Sequence, residues 1–192
     1  MINFIEKKIN KHKAIYDDLL KSKSNVNKLN DFSLSILNSL QNKGKIILAG
    51  NGGSFSDSMH ISAEFTGRFK KDRFPYPSIV LGANSAYSTA SSNDFGFENI
   101  FLREFEALVD HSDFLICLTT SAKSYNIFNL VKEASQKKIG YVVFTGKDNG
   151  LFNEKYNLFN INSIETDIIQ EITMMILHSV VDFIENKLNE KI

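Results

Sequence analysis

Four short apolar runs, each followed by glycine or hydroxyl residues, constrain the fold of this chain more than any other sequence feature. The runs are Lys45–Ala49, Ser78–Leu81, Phe114–Leu118 and Gly140–Phe144, and a weaker fifth run is Leu158–Ile161. Segments of helical length separate them, a pattern typical of buried parallel strands in an α/β protein. We therefore expect an α/β fold with a central, mainly parallel sheet of five strands.

Helices are predicted at both ends of the chain. Apolar residues recur at helical spacing up to about Lys43, in two helices with a break near Ser22–Ser24. A long helix with a continuous apolar stripe is predicted from about Ile164 to Leu188. Neither an internal repeat nor a low-complexity linker interrupts the sequence, so residues 1–192 are interpreted as a single domain.

Charge and composition narrow the possible functions. Hydrophobic residues make up 43% of the chain and charged residues 23%, as in globular proteins. The formal net charge is zero, so we do not expect a nucleic-acid partner. A local basic segment, Arg68–Arg73, is most simply a solvated loop.

The cellular location is predicted from sequence features that are absent, such as paired cysteines and long apolar runs. A single cysteine, Cys117, rules out an intrachain disulfide and favours an intracellular protein; in its apolar run it is most simply a small buried hydrophobe. The first residues lack the apolar stretch of a signal peptide, and no apolar run is long enough to span a bilayer. We expect a cytoplasmic protein with no membrane partner.

Two loops predict an anion site. Gly50–Ser54 follows the first strand and opens a helix, where backbone amides can approach an anion, although a plain strand-to-helix turn uses the same residues. The loop does not have the P-loop pattern. It does not fit the dinucleotide-binding pattern either, because Phe55 occupies the position of the last glycine. The second loop, Thr119–Ser124, holds four hydroxyls at a helix start. A helix cap would account only for Ser124, so a phosphate or other oxyanion site is favoured.

Two helices carry candidate acid–base residues. His60 and Glu64 are four residues apart on one helix face and could bind a metal or transfer protons, although a surface pair, or a Glu64–Arg68 ion pair, has the same spacing. Gln170 and His178 of the last helix are about 12 Å and roughly 80° apart. If both serve one small site, the second must come from another subunit, which favours an oligomer.

Together these residues resemble the phosphoheptose isomerases, enzymes of the sugar-isomerase (SIS) fold. The similarity covers nearly the whole chain, and the joint pattern is more specific than any single element. The matching residues are Gly50–Ser54, Asp57, Met59, His60, Ala63, Glu64, Thr66–Arg68, Asn93–Phe97, Thr120, Ser121, Ser124, Thr145–Asp148, Ile169–Ile172 and His178.

The resemblance implies a fold and a reaction. It implies a three-layer αβα sandwich with an N-terminal helical extension, residues 1–43, that packs on neighbouring subunits of a homotetramer with intersubunit active sites. The implied reaction converts sedoheptulose 7-phosphate to D-glycero-D-manno-heptose 7-phosphate through an enediol or enediolate, for lipopolysaccharide or capsule synthesis.

The resemblance also implies a role for each matching residue. Glu64 and His178 match the catalytic pair, and zinc is the implied cofactor, with ligands His60, Glu64, Gln170 and His178. A carboxylate held tightly by zinc is a weaker base, so the two roles of Glu64 compete. The implied substrate-binding residues are Asn51, Gly52, Gly53, Ser54, Glu64, Asn93, Asp94, Thr119, Thr120, Ser121, Ser124, Asp167 and Gln170.

Three residues depart from the family pattern and leave the substrate open. Thr119 replaces a serine but keeps a hydroxyl. Ala122 replaces a glycine and is expected to disfavour a positive φ at that turn, and Phe55 stands where a small or polar residue is usual. Two alternatives remain: an isomerase of another ketose phosphate, and a non-catalytic SIS scaffold that binds a replication initiator.

Overall fold

The computed structural model describes residues 1–189 and contains one sheet of five parallel strands. The strand order is β2-β1-β3-β4-β5, and every neighbouring pair runs in the same direction. The strands are β1 (Ile46–Gly50), β2 (Ser78–Val80), β3 (Phe114–Leu118), β4 (Gly140–Thr145) and β5 (Leu158–Asn160). The five predicted strands are confirmed, and the sheet is entirely rather than mainly parallel.

Seven α-helices surround this sheet within the described residues. They are α1 (Ile2–Lys21), α2 (Lys23–Gln41), α3 (Gly53–Thr66), α4 (Ser85–Phe95), α5 (Ile100–Leu108), α6 (Tyr125–Gln136) and α7 (Thr166–Asn189), with a short 3-10 turn at Phe97–Asn99. The predicted break between the first two helices falls at Ser22, whose hydroxyl accepts a hydrogen bond from the Asn25 amide at 3.2 Å and begins α2.

The core has two halves because successive strand residues point to opposite faces of the sheet. Ile46 and Leu48 of β1 pack with α2, α3 and α7, whereas Ile47 and Ala49 pack with α5 and α6. Cys117 lies fully buried in the second half, as predicted, and burial raises the pKa of its thiol. This arrangement is the expected three-layer αβα sandwich.

Helix α1 reaches the beginning of α7 through charged contacts. Nζ of Lys8 lies 2.8 Å from Oδ2 of Asp167 and 3.2 Å from Oε1 of Glu171. Beside these contacts, α1 leaves large apolar side chains exposed, among them Phe4 (74%) and Ile9 (60%). Among the described helices, none combines the length and apolar character needed to cross a membrane.

The basic segment Arg68–Arg73 is only partly a solvated loop. The side chain of Arg73 is 1% exposed and its Nε lies 2.9 Å from Oε1 of Glu185, which is fully buried in α7. The prediction was wrong for this residue because a long-range partner, which the local sequence does not reveal, satisfies its charge in the interior.

Candidate active site

Three of the predicted metal ligands meet where α3 passes α7. Nε2 of His60 lies 3.2 Å from a carboxylate oxygen of Glu64 and 3.3 Å from Nε2 of His178. One ligand atom from each residue lies within 4.8 Å of those of the other two. His60 and Glu64 are brought together by one helical turn, whereas His178 arrives only through the packing of the two helices.

Within this His60–Glu64–His178 group, the surroundings of His178 favour its neutral imidazole. The pKa of His178 is lowered mainly by partial burial and further by the nearby His60, whereas the negative charge of Glu64 raises it. A neutral imidazole nitrogen can bind a metal ion or accept a proton. Glu64 pairs with His60 rather than with Arg68, and no Glu64–Arg68 ion pair is present in the described part of the chain.

A cavity of about 710 Å³ opens along α7 beside His178. Its volume lies within the range usual for small-molecule sites. The walls come from α3, α7 and the segment between α3 and β2, and they carry both predicted and unpredicted residues. The lining residues are Asp57, Phe69, Lys70, Asp167, Gln170, Glu171, Met174, Met175, His178, Ser179 and Asp182.

Gln170 lies against the glycine loop. Its Nε2 donates to Oγ of Ser54 at 3.3 Å, and a Cβ on Gly53 would stand 2.6 Å from that nitrogen, so the glycine permits this approach. Gly52 is required for another reason, because its φ is +56° while the space around it is open. The fourth predicted zinc ligand is thus engaged with the glycine loop.

The hydroxyl loop lies at the carboxyl end of β3, next to the start of α6. Thr119 and Thr120 share a small crevice with Ser54 and Gln170, and Oγ1 of Thr120 lies 3.5 Å from Oγ1 of Thr166. Ser121 accepts from the Lys123 amide at 3.3 Å. Ser124 begins α6 without a side-chain cap, so the capping alternative is wrong for its hydroxyl.

Ala122 adopts the conformation that the sequence suggested it would forbid. Its φ is +55°, although the residue is not glycine, and its methyl group is fully buried. The loop therefore keeps a positive φ at this turn, at a cost of about 1 kcal/mol relative to glycine. The substitution leaves the turn in place.

Asn51 reaches a partner that the sequence did not single out. Its side-chain amide exchanges two hydrogen bonds with that of Asn126 in α6, at 3.0 and 2.9 Å. Asn126 is buried, and it joins the glycine loop to the helix that follows the hydroxyl loop. Its position two residues after the helix cap was the only available sequence signal.

The remaining predicted substrate residues are Asn93, Asp94 and Asp167. The resemblance implies that Asn93 and Asp94 lie in the loop after β2, but they belong to the last turn of α4; their side chains bond to each other at 2.9 Å and line neither cavity described above. Asp167 lines the larger cavity but pairs with Lys8, whose hydrogen bond is the main cause of its lowered pKa.

Asp57 is a cavity residue to which the sequence resemblance assigned no role. It lines both the larger cavity and the crevice under the hydroxyl loop. Its carboxylate has no hydrogen-bond or ion-pair partner in the described part of the chain, and partial burial raises its pKa.

Comparison with known proteins now decides the family. A family model described as the SIS domain matches residues 9–146. This chain belongs to the SIS-domain family. A phosphoheptose isomerase of Clostridium acetobutylicum is 36% identical to this SIS protein over 190 residues, 98% of the chain and 96% of the relative. One of Campylobacter concisus is 36% identical over 76% of the chain and 77% of the relative.

Solved structures agree with these sequence relatives. The phosphoheptose isomerase of Francisella tularensis superposes with a TM-score of 0.87 at 26% identity, covering 96% of the chain and 98% of that structure. That of Neisseria gonorrhoeae gives 0.84 at 27% identity, with the same coverage. The chain is therefore a sugar-phosphate isomerase of the phosphoheptose isomerase family, as the sequence resemblance indicated.

Two ligand–ligand separations in this SIS protein are compatible with a metal ion such as zinc. Tetrahedral Zn²⁺ with nitrogen and oxygen ligands at about 2.0–2.2 Å holds neighbouring ligand atoms about 3.3–3.6 Å apart. The separations of His60 from Glu64 and from His178, 3.2 and 3.3 Å, are close to that range. Two imidazoles and a carboxylate are also a common catalytic zinc set.

Proposed function

We propose that this isomerase converts sedoheptulose 7-phosphate to D-glycero-D-manno-heptose 7-phosphate. The observation that carries the proposal is the His60–Glu64–His178 group, which places a carboxylate and two imidazoles within 4.8 Å at one point. Aldose–ketose isomerisation needs a base and a group that exchanges protons with oxygen, because a proton must leave the carbon next to the carbonyl while the oxygens exchange protons; the His60–Glu64–His178 group supplies both.

The proposed mechanism divides the proton transfers between two helices. Glu64 accepts the proton from the carbon adjacent to the carbonyl and returns it to the neighbouring carbon, while His178 moves a proton between the two oxygens. His60, Glu64 and His178 would hold zinc, which supplies a Lewis acid for the carbonyl oxygen when bound. Because a carboxylate has two oxygens, Glu64 can bind through one and act as a base through the other.

The hydroxyl loop is proposed to hold the phosphate. Thr119, Thr120, Ser121 and Ser124 belong to the segment that leads into α6, and helix N-termini favour anions. Asn51, Gly52, Gly53, Ser54, Asp167 and Gln170 would orient the sugar chain between this loop and the metal ligands, with Asn93 and Asp94 contributing from α4.

The assembly is proposed to be a cytoplasmic homotetramer with active sites between subunits. The exposed apolar side chains of Phe4, Ile5 and Ile9 on α1 support this, since apolar clusters of this kind favour contacts between chains. Helix α1 also contacts Asp167 and Glu171 at the cavity, so an interface there would adjoin the site. The product would supply heptose for lipopolysaccharide or capsule.

An NMR time course tests this function. Purified protein is incubated with sedoheptulose 7-phosphate, with and without added zinc, and pentulose and hexulose phosphates are compared in parallel. We expect an aldoheptose 7-phosphate in the first samples, faster with zinc. If only a shorter ketose phosphate is converted, that compound is the substrate instead of sedoheptulose 7-phosphate. If folded protein converts none of them, a binding role is favoured.

A further inference from the structure

The phenyl ring of Phe69 lies parallel to the imidazole of His178 in an offset stack. The ring centroids are 5.5 Å apart and the planes differ by 9°. Phe69 belongs to the connecting segment, residues 67–77 between α3 and β2, and it lines the same cavity as His178. An aromatic side chain from this segment therefore contacts one face of a proposed metal ligand.

The ring of His60 also contacts the imidazole of His178, edge-on at a centroid distance of 5.1 Å. Nε2 of His178 faces His60 at 3.3 Å, and its Nδ1 has no hydrogen-bond partner in the part of the chain that the structure describes. Metal-binding histidines usually hold their orientation by donating the second ring N–H to a carboxylate or carbonyl. In this chain the ring of Phe69 stacks on His178, whose Nδ1 makes no such hydrogen bond within the described residues.

Phe69 is itself held by a buried carboxylate. Glu185 is fully buried in α7, and it accepts hydrogen bonds from three successive amides of the connecting segment. The donors are Phe69 at 3.2 Å, Lys70 at 2.8 Å and Lys71 at 2.9 Å. Glu185 lies seven residues after His178, about two helical turns along α7. The segment is therefore fixed to the helix that carries the imidazole.

Arg73 fixes the same segment to α3. Its guanidinium pairs with Glu185 at 2.9 Å and donates to the backbone carbonyl of Glu64 at 2.7 Å. It also donates to the carbonyl of Phe65 at 3.0 Å, and it lies 3.8 Å from the ring centroid of Tyr76. One buried ion pair thus links the helix of His60 and Glu64 to the helix of His178.

We propose that Phe69 is a positioning residue for His178, and that the Arg73–Glu185 ion pair holds it in place. The phenyl ring limits rotation of the imidazole, so that Nε2 stays directed at His60 and Glu64. The proposal rests on the metal site proposed above for its functional consequence, but the packing relationship exists in the protein without metal.

The test compares Phe69→Leu with Phe74→Leu, the same change at a residue of the same segment that is 84% exposed. Histidine-labelled, metal-free protein is examined by NMR, in which the ring current of Phe69 shifts the ring protons of His178 upfield. We expect that shift to disappear in Phe69→Leu and zinc affinity, from chelator competition, to fall roughly tenfold. Phe74→Leu is expected to retain both, and Phe69→Tyr to restore them.

A second variant tests the proposal even if Phe69→Leu does not fold. Arg73→Lys keeps the charge but cannot make the same set of contacts, so it is expected to move the His178 signals and weaken zinc binding in the same direction. Combined with Phe69→Leu, it should add little to the loss of zinc affinity, since both act through one ring. Unchanged His178 signals in Phe69→Leu, or equal effects in Phe74→Leu, would overturn the proposal. Failure of wild-type protein to bind zinc would count against the metal site alone.

Discussion

Nε2 of His60 lies 3.3 Å from Nε2 of His178, although 118 residues separate them in sequence. A neutral imidazole carries one N–H, so the two nitrogens can share a single hydrogen in the metal-free protein. Both can instead direct a lone pair at a common ion. The same pair of helices also places Glu64 within reach, which makes its carboxylate the first target for mutation.

Replacing Glu64 with glutamine should remove turnover without unfolding the protein. The amide keeps the size of the carboxylate but cannot act as a base, so we expect kcat to fall by about 10²–10⁴. Activity is measured with sedoheptulose 7-phosphate and folding by thermal melting. Glu165→Gln serves as a control, because its exposed carboxylate pairs with Lys11 outside the cavity. Retained turnover in Glu64→Gln would exclude it as the base.

Glu185 should make the stability of the protein depend on pH. Burial raises the pKa of Glu185, but the hydrogen bonds from Lys70, Phe69, Lys71 and Arg73 lower it by more. A folded-state pKa below the unfolded one gives stability that is present above the unfolded value, near 4.3, and lost as the pH falls through the folded value.

The variant that tests this pH dependence is Glu185→Gln, which leaves Arg73 without its buried counter-charge. We expect the free energy of unfolding to fall by about 3 kcal/mol at pH 7, and the difference from wild type to shrink below pH about 4. Urea titrations over this pH range measure it. Asp182→Asn, which breaks the more exposed pair with Lys70, should cost less than about 1 kcal/mol. Equal losses in the two variants at pH 7 would contradict this.

Two neighbouring glycines should respond differently to alanine. In Gly53→Ala the new methyl group would stand 2.6 Å from Nε2 of Gln170, the end of a flexible side chain, so Gln170 moves and substrate KM rises with a small change in stability. In Gly52→Ala no atom is close, but the φ of +56° is strained, which costs about 1–3 kcal/mol. Steady-state kinetics and thermal melting of both variants separate the effect on KM from the effect on stability. If the two variants change KM and stability alike, this prediction is wrong.

The apolar side of α1 should control assembly. Ile5 is 50% exposed and lies in an apolar groove of α1, so Ile5→Glu is expected to shift the proposed tetramer toward smaller species. Ala14→Glu introduces the same charge about 180° around the helix and should not. Sedimentation velocity measures both variants. A tetramer that persists in Ile5→Glu would place the interface elsewhere.

Much of the fold and part of the site could be predicted from local sequence. The apolar runs predicted all five strands because buried parallel strands need continuous apolar residues. The spacing of His60 and Glu64 placed them on one helix face, since that relationship depends only on helical geometry. The glycine and hydroxyl loops were located for a similar reason, as both directly follow strands.

Tertiary packing decided the remaining relationships, each of which joins residues that local sequence cannot connect. The crossing of α3 and α7 brought His178 to His60, and long-range pairing turned Arg73 from an expected surface residue into the buried partner of Glu185. The Phe69–His178 stack likewise joins residues more than 100 positions apart in sequence. Sequence by itself determined the elements and their local faces, because these depend on periodicity; only the folded structure determined which side chains meet, because burial and charge pairing depend on distant parts of the chain.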